Sequence, residues 1–225
     1  MAPVSRIDVL TKDCTALSDA DLAEMGDLNR DEDNRFEIGV LSKQAESWVL
    51  VTLAREAEEL KGYSFCTLER IGGTPSVLIG LCSVQRCGQS DELLEAIIAD
   101  QMRRAVLAFP DEDVLVGARF NQSSALHAYR TLHDIVPRPG HKANGEERAW
   151  GRRLAKRFGI EAANYHDRSF VARGDGSVAC IVDYHAAAGS PNEVAELFDP
   201  LDHKAGDVLI AFGWAMAEDL ALFAP

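Results

Sequence analysis

Positive charge is scarce in this 225-residue chain: 23 lysines and arginines face 36 aspartates and glutamates, a formal net charge of −13 at pH 7. Nucleic acid is bound through clustered cations, so it is excluded as the main partner, and an anionic membrane surface is disfavoured. Long apolar runs are missing too, since none reaches the roughly 18 residues of a membrane span. No cationic segment followed by an apolar core opens the chain, so secretion is not expected. The five cysteines, Cys14, Cys66, Cys82, Cys87 and Cys180, are odd in number and form no CxxC pair. Reduced thiols in a cytoplasmic protein are the expectation. Without HExxH or histidines paired at chelating spacing, no metal site is expected. A Walker A loop, GxGxxG and a GxSxG nucleophile elbow are also lacking.

The remaining composition, 47% hydrophobic and 26% charged, suits a globular protein able to bury a core without disulfides. Ile7 to Leu10 alternates weakly, as a first strand. Ser18 followed by Asp21 is a capping-box variant that starts a helix through Leu22, Met25 and Leu28. Asn29 to Arg35 is a charged connection, and Phe36 to Leu41 a second helical segment. Strands follow at Trp48–Ala54, Lys61–Leu68 and Val77–Val84, with a turn at Gly72–Pro75. Gln85 to Ser90 joins the last of these to a long helix, whose stripe is Leu93, Leu94, Ile97, Ile98, Met102, Ala105 and Val106. Pro110 ends it. A strand, a helix and a strand in that order favour a parallel pair. The fold class is therefore α+β, with an α/β-like mixed sheet and helices on both faces.

The stretch Asp113 to Leu132, DVLVGARFNQSSALHAYRTL, reads as a strand, a polar cap at Asn121–Ser124, and a helix. Ala125, Leu126, Tyr129 and Leu132 share one helical face, on which Tyr129 is either a core tyrosine or a phenol at a site. Further on, Glu146 to Phe158 concentrates Arg148, Arg152, Arg153, Lys156 and Arg157 on a helix packed through Ala149, Trp150 and Leu154. Those cations read as a solvated face. Ser169–Arg173 and Val178–Tyr184 suggest a hairpin about Gly174–Gly176, Pro191–Pro200 a loop with a helical piece, and Val208–Trp214 a final strand.

This order resembles the GNAT (GCN5-related) N-acyltransferase superfamily, whose fold runs strand, helices, three antiparallel strands, crossover helix, fifth strand and helix. Trp48–Leu53, Lys61–Ser64, Val77–Val84 and Asn121 with Ala125–Leu132 carry the resemblance. It implies a single GNAT-like domain over 1–225, with 136–225 as an elaborated C-terminal part. It implies transfer of an acetyl or related acyl group from acyl-coenzyme A to the amine of a small molecule or peptide. Tyr129 would then protonate the leaving thiolate and Asn121 contact the cofactor, with Gln122 an alternative by spacing. Acetyl-CoA would be cosubstrate, with its pyrophosphate cradled by Val84, Gln85, Arg86, Gly88, Gln89 and Ser90. A homodimer is compatible.

The cradle departs from the family's Arg/Gln-x-x-Gly-x-Gly/Ala. It holds one glycine, and Asp91 and Glu92 put negative charge where a diphosphate would sit. That departure motivates an alternative, a catalytically inactive GNAT-like module that binds a ligand or a protein. Glu69, Cys82 and Ser83 are the candidates for an amine-activating base, and Cys87 beside Arg86 is a candidate reactive thiol.

Overall fold

The computed structural model describes residues 7–29, 36–186 and 191–223. In chain order these form β1 (Ile7–Asp13), α1 (Asp19–Asp27), α2 (Ile38–Ser47), β2 (Leu50–Glu56), β3 (Glu59–Ile71), β4 (Thr74–Val84) and α3 (Ser90–Ala108). Then come β5 (Val114–Phe120), β6 (His133–Val136), α4 (Gly145–Arg157), β7 (Tyr165–His166), β8 (Val171–Ala172) and β9 (Val182–Asp183). The helix α5 (Asn192–Ala195), strand β10 (Val208–Ala215) and helix α6 (Ala217–Leu220) close the order.

Local signals account for the early elements. Ser18 caps α1 by accepting from the Asp21 N–H at 3.1 Å, while the Asp21 carboxylate accepts the Ser18 N–H at 2.8 Å, so two orphan donors are satisfied reciprocally. The turn after β3 lies at Gly72 and Gly73, both with positive φ, and Pro75 is already in β4. The charged connection lies mostly outside the described residues; Asn29, at its start, is described.

One sheet runs in the order β1-β2-β3-β4-β5-β10-β8-β7, and β6 also pairs with β10. β1 to β4 are antiparallel neighbours, β4 and β5 are parallel, and β10 is antiparallel to β5. The sheet is mixed and the class α+β, as the sequence pattern implies. α3 covers one face, where Gln101 donates to Ser64 at 2.9 Å and Thr11 donates to Asp100 at 2.6 Å. α1 and α4 cover the other. Arg55 reaches Glu24 there, and Leu154 of α4 packs where Gly117 has no side chain.

Two expectations are corrected. Residues Ser123–Tyr129 form a 3₁₀ segment instead of an α-helix, because the Gln122 side chain makes no capping bond and turns elsewhere. The hairpin about Gly174–Gly176 does not form. β8 pairs with β7 and β10, whereas β9 leaves to pair with β4.

Candidate functional site

β4 and β5 run side by side only from Ser76, Val77 and Leu78 against Leu115, Val116 and Gly117. Beyond that register the two strands separate, and the split opens toward the loop Gln85–Gln89 and the start of α3. Into this split comes β9, from the long excursion between β6 and β10. Cys82 and Ser83 align in parallel with Val182 and Asp183, and the Cys82 N–H donates to the Ile181 carbonyl at 2.9 Å. Ile181, Val182 and Tyr184 are all buried. The gap where a cosubstrate is expected is filled by the chain's own strand.

Polar contacts fasten the C-terminal end of the strand. Ser83 donates to Asp183 at 3.1 Å, and Arg86 lies 3.7 Å from the same carboxylate and 2.8 Å from His185 Nε2. Gln122 donates to the Tyr184 carbonyl at 2.6 Å, and Ser124 adds a bond to it at 3.2 Å. The Tyr184 hydroxyl donates to Asp91 in the first turn of α3, and its ring stacks on His127. Burial pushes the Asp183 carboxyl above its ordinary value, against the opposing pull of Arg86, Ser83 and His185.

The expected cradle is similarly engaged. Gln85 N–H donates to the Lys61 carbonyl at 2.8 Å, Arg86 N–H to Asn29 Oδ1 at 3.2 Å and Ser90 N–H to the Cys87 carbonyl at 3.2 Å. Cys87 N–H donates to Ser90 Oγ at 2.9 Å. Ser90 Oγ in turn lies 2.8 Å from the Gln85 carbonyl, to which it donates, so the loop is closed on itself. The Val84 carbonyl accepts from Asn29 at 3.1 Å. Asn29, which the sequence places in a solvated connection, thus ties that connection to the mouth of the split.

Tyr129 stands apart from this cluster. It is fully buried, packs edge-on against Phe120 at 5.0 Å and donates to the Ala211 carbonyl at 3.3 Å. Burial raises its pKa well above that of a free phenol. In this arrangement its phenol is packed as a core tyrosine. Asn121 lies beside the segment that leads into β9. It lines a cavity with Ser177, Ile181 and His203, while Gln122 is the residue that reaches β9. Among the base candidates, Glu69 is held by Arg157 at 2.7 Å and Ser83 by Asp183, and burial pushes the Cys82 thiol up to about 12. The sequence marks Val178–Tyr184 as a strand but not its pairing with β4, and it gives no role to Asn29 or the Tyr184 hydroxyl, because their partners lie tens of residues away.

The arrangement of helices, three antiparallel strands, crossover helix and a parallel fifth strand is the one the sequence resemblance implies. The fold is GNAT-like. No family model and no curated protein matches the chain. Solved structures with similar coordinates include the Escherichia coli ribosomal-protein-S18-alanine N-acetyltransferase, at 11% identity and a TM-score of 0.43 over 93% of this chain and 95% of that one. An IAA acetyltransferase from Bacillus cereus aligns at 8% identity and a TM-score of 0.43, over 93% of this chain and all of its own. An acyl-CoA N-acyltransferase from Pseudomonas aeruginosa aligns at 14% and 0.39, over 50% of this chain and 80% of its own. Values this low bear on neither activity nor ligand. Among the described residues no helix is long and apolar enough to cross a membrane, and no group of three or more His, Cys, Asp or Glu could hold a metal ion.

Proposed function

We propose that this GNAT-like protein moves an acetyl or related acyl group from acyl-coenzyme A to an amine, and does so from a state in which β9 has left the split. The observation that supports the reading is the parallel β4–β5 pair, which separates beyond Leu78 and Gly117 directly below the start of α3. In the open state, Cys82–Val84 would offer its backbone edge to the acyl donor. Gln122 would take the contact expected of Asn121, since its amide already points there. Val84, Gln85, Arg86, Gly88, Gln89 and Ser90 remain the proposed cradle, with Arg86 released from Asp183 to offset Asp91 and Glu92. In this reading Tyr129 is assigned no proton transfer, because its phenol is buried and donates to the Ala211 carbonyl.

A second reading has a specific observation in its favour. A split already filled by a hydrogen-bonded strand, with Tyr184 on Asp91, fits a non-catalytic module whose β9 is a permanent part of the sheet. Calorimetry with acetyl-CoA, together with thiol release in the presence of primary amines, separates the two. Binding with amine-dependent thiol release supports acyl transfer. A folded protein that neither binds nor turns over, even after β9 is dislodged, leaves the module.

A further inference from the structure

The basic helix α4 does not spend all its charge on solvent. Arg152 pairs with Asp167, Arg157 is held by Glu69, and Arg153 lies over the Trp150 ring at 4.6 Å. Arg148, one turn into the helix, differs: its Nε donates to the Asn144 carbonyl at 3.3 Å, and among the described residues it forms no ion pair. It faces a cavity of about 560 Å³ together with Lys142 and Arg168. Neither of these two is ion-paired among the described residues. His141, also in the lining, is taken by Glu147 at 2.9 Å. No carboxylate lines the cavity.

Three cations around one cavity repel each other, and in a chain with 36 acidic residues a nearby carboxylate would be the simple remedy. The carboxylate next to the lining, Glu147, is taken up by His141 and forms no pair with Lys142, Arg148 or Arg168 among the described residues. The rest of the lining is apolar: Pro137, Ala143 and the largely buried Phe170. Phe170 has φ +58, in the left-handed region that bulky residues avoid, and its carbonyl is fixed by Ile210 N–H at 2.9 Å. Such conformations persist where surrounding structure enforces them, and they cluster at ligand sites. Two guanidinium forks and an ammonium match phosphate oxygens, and the apolar floor matches an organic substituent.

We propose that this cavity binds a small phosphate ester, held at its phosphate by Lys142, Arg148 and Arg168 and at its organic part by Phe170 and Pro137. The site lies among the elements between β6 and β8, apart from the β4–β5 split, and stands independently of acyl transfer.

Phenyl phosphate is the probe, with phenol and sodium sulfate at matched ionic strength as controls, measured by thermal shift and calorimetry on the full chain. The expected result is a rise in Tm of about 3 °C near saturation by phenyl phosphate, by mass action on the folded state. Phenol should give none, and added salt should weaken the effect. The combined variant Lys142→Gln, Arg148→Gln, Arg168→Gln should lose the rise while keeping its far-UV circular dichroism. Should that variant fold poorly, Arg168→Gln alone, at an exposed position, should weaken binding several-fold. An absent rise in the wild type would overturn the proposal. So would an undiminished one in the variants, which would place the anion elsewhere, such as beside Arg86.

Discussion

Replacing Val182 by Asp should dislodge β9 and open the β4–β5 split. Burying Ile181, Val182 and Tyr184 contributes roughly 2 kcal/mol per side chain, about 6 in all. The bonds Cys82–Ile181, Ser83–Asp183, Gln122–Tyr184 and Ser124–Tyr184 add about 1 kcal/mol each and Tyr184–Asp91 about 2, giving a total of about 12. Ordering six residues, Cys180 to His185, opposes this by about 1–2 kcal/mol per residue, or roughly 9. The strand is therefore held by a margin of a few kcal/mol at most. Val182 is fully buried, so an aspartate there forfeits about 2 kcal/mol of apolar burial and adds the several kcal/mol of an unpaired buried carboxylate. The balance reverses locally, while the strands from β1 to β5 and β10 keep their own pairing. Hydrogen exchange is the assay: the Cys82 amide, bonded to the Ile181 carbonyl, should lose protection while the amides of β2 and β3 keep theirs. Acetyl-CoA titrated into this variant should then bind more tightly than to the wild type. Unchanged protection at Cys82 would refute the marginal-strand reasoning. Lost protection without acetyl-CoA binding would refute the acyl-transfer reading and favour the module.

Tyr129→Phe should cost about 1 kcal/mol in denaturant unfolding, the value of one buried hydrogen bond to Ala211; a selective loss of acyl-transfer rate without loss of stability would restore the tyrosine to the chemistry. Gly80→Ala should destabilise by about 2 kcal/mol and shift tryptophan emission, because its Cβ would lie 2.4 Å from the Trp48 indole. Asp207→Ala should cost about 2–3 kcal/mol, since the N–H groups of Gly174 at 2.9 Å and Asp202 at 3.1 Å lose their acceptor. Burial by itself raises the Asp207 carboxyl, but those N–H groups and the Arg173 guanidinium outweigh it and hold its pKa below the usual value. Its contribution is therefore present above about pH 3.9 and lost as pH falls through the lowered pKa. In an acid titration of stability, Asp207→Ala should accordingly show a shallower fall than the wild type.

Periodicity made the first 120 residues legible. The Ser18–Asp21 capping box, the apolar run Val77–Val84 and the stripe from Leu93 to Ala105 are local patterns, and each is realised as expected. The parallel β4–β5 pair follows from the crossover between them. After Phe120 the local signals mislead. Ala125, Leu126, Tyr129 and Leu132 have helical spacing, yet Gln122 and Ser124 spend their polar groups on the Tyr184 carbonyl, some sixty residues away. The Val178–Tyr184 run has strand composition, but composition does not say which strand it joins.

The sequence alone determined the α+β class, the mixed sheet and the loop in which a GNAT-like cradle would lie, because these rest on patterns within one element or its neighbour. Which group occupies the split, whether Tyr129 is reachable, and which cations of α4 are left without carboxylates were decided only by tertiary structure. Each depends on side chains far apart in the chain, and a polar group's role is fixed by the partner that folding brings to it.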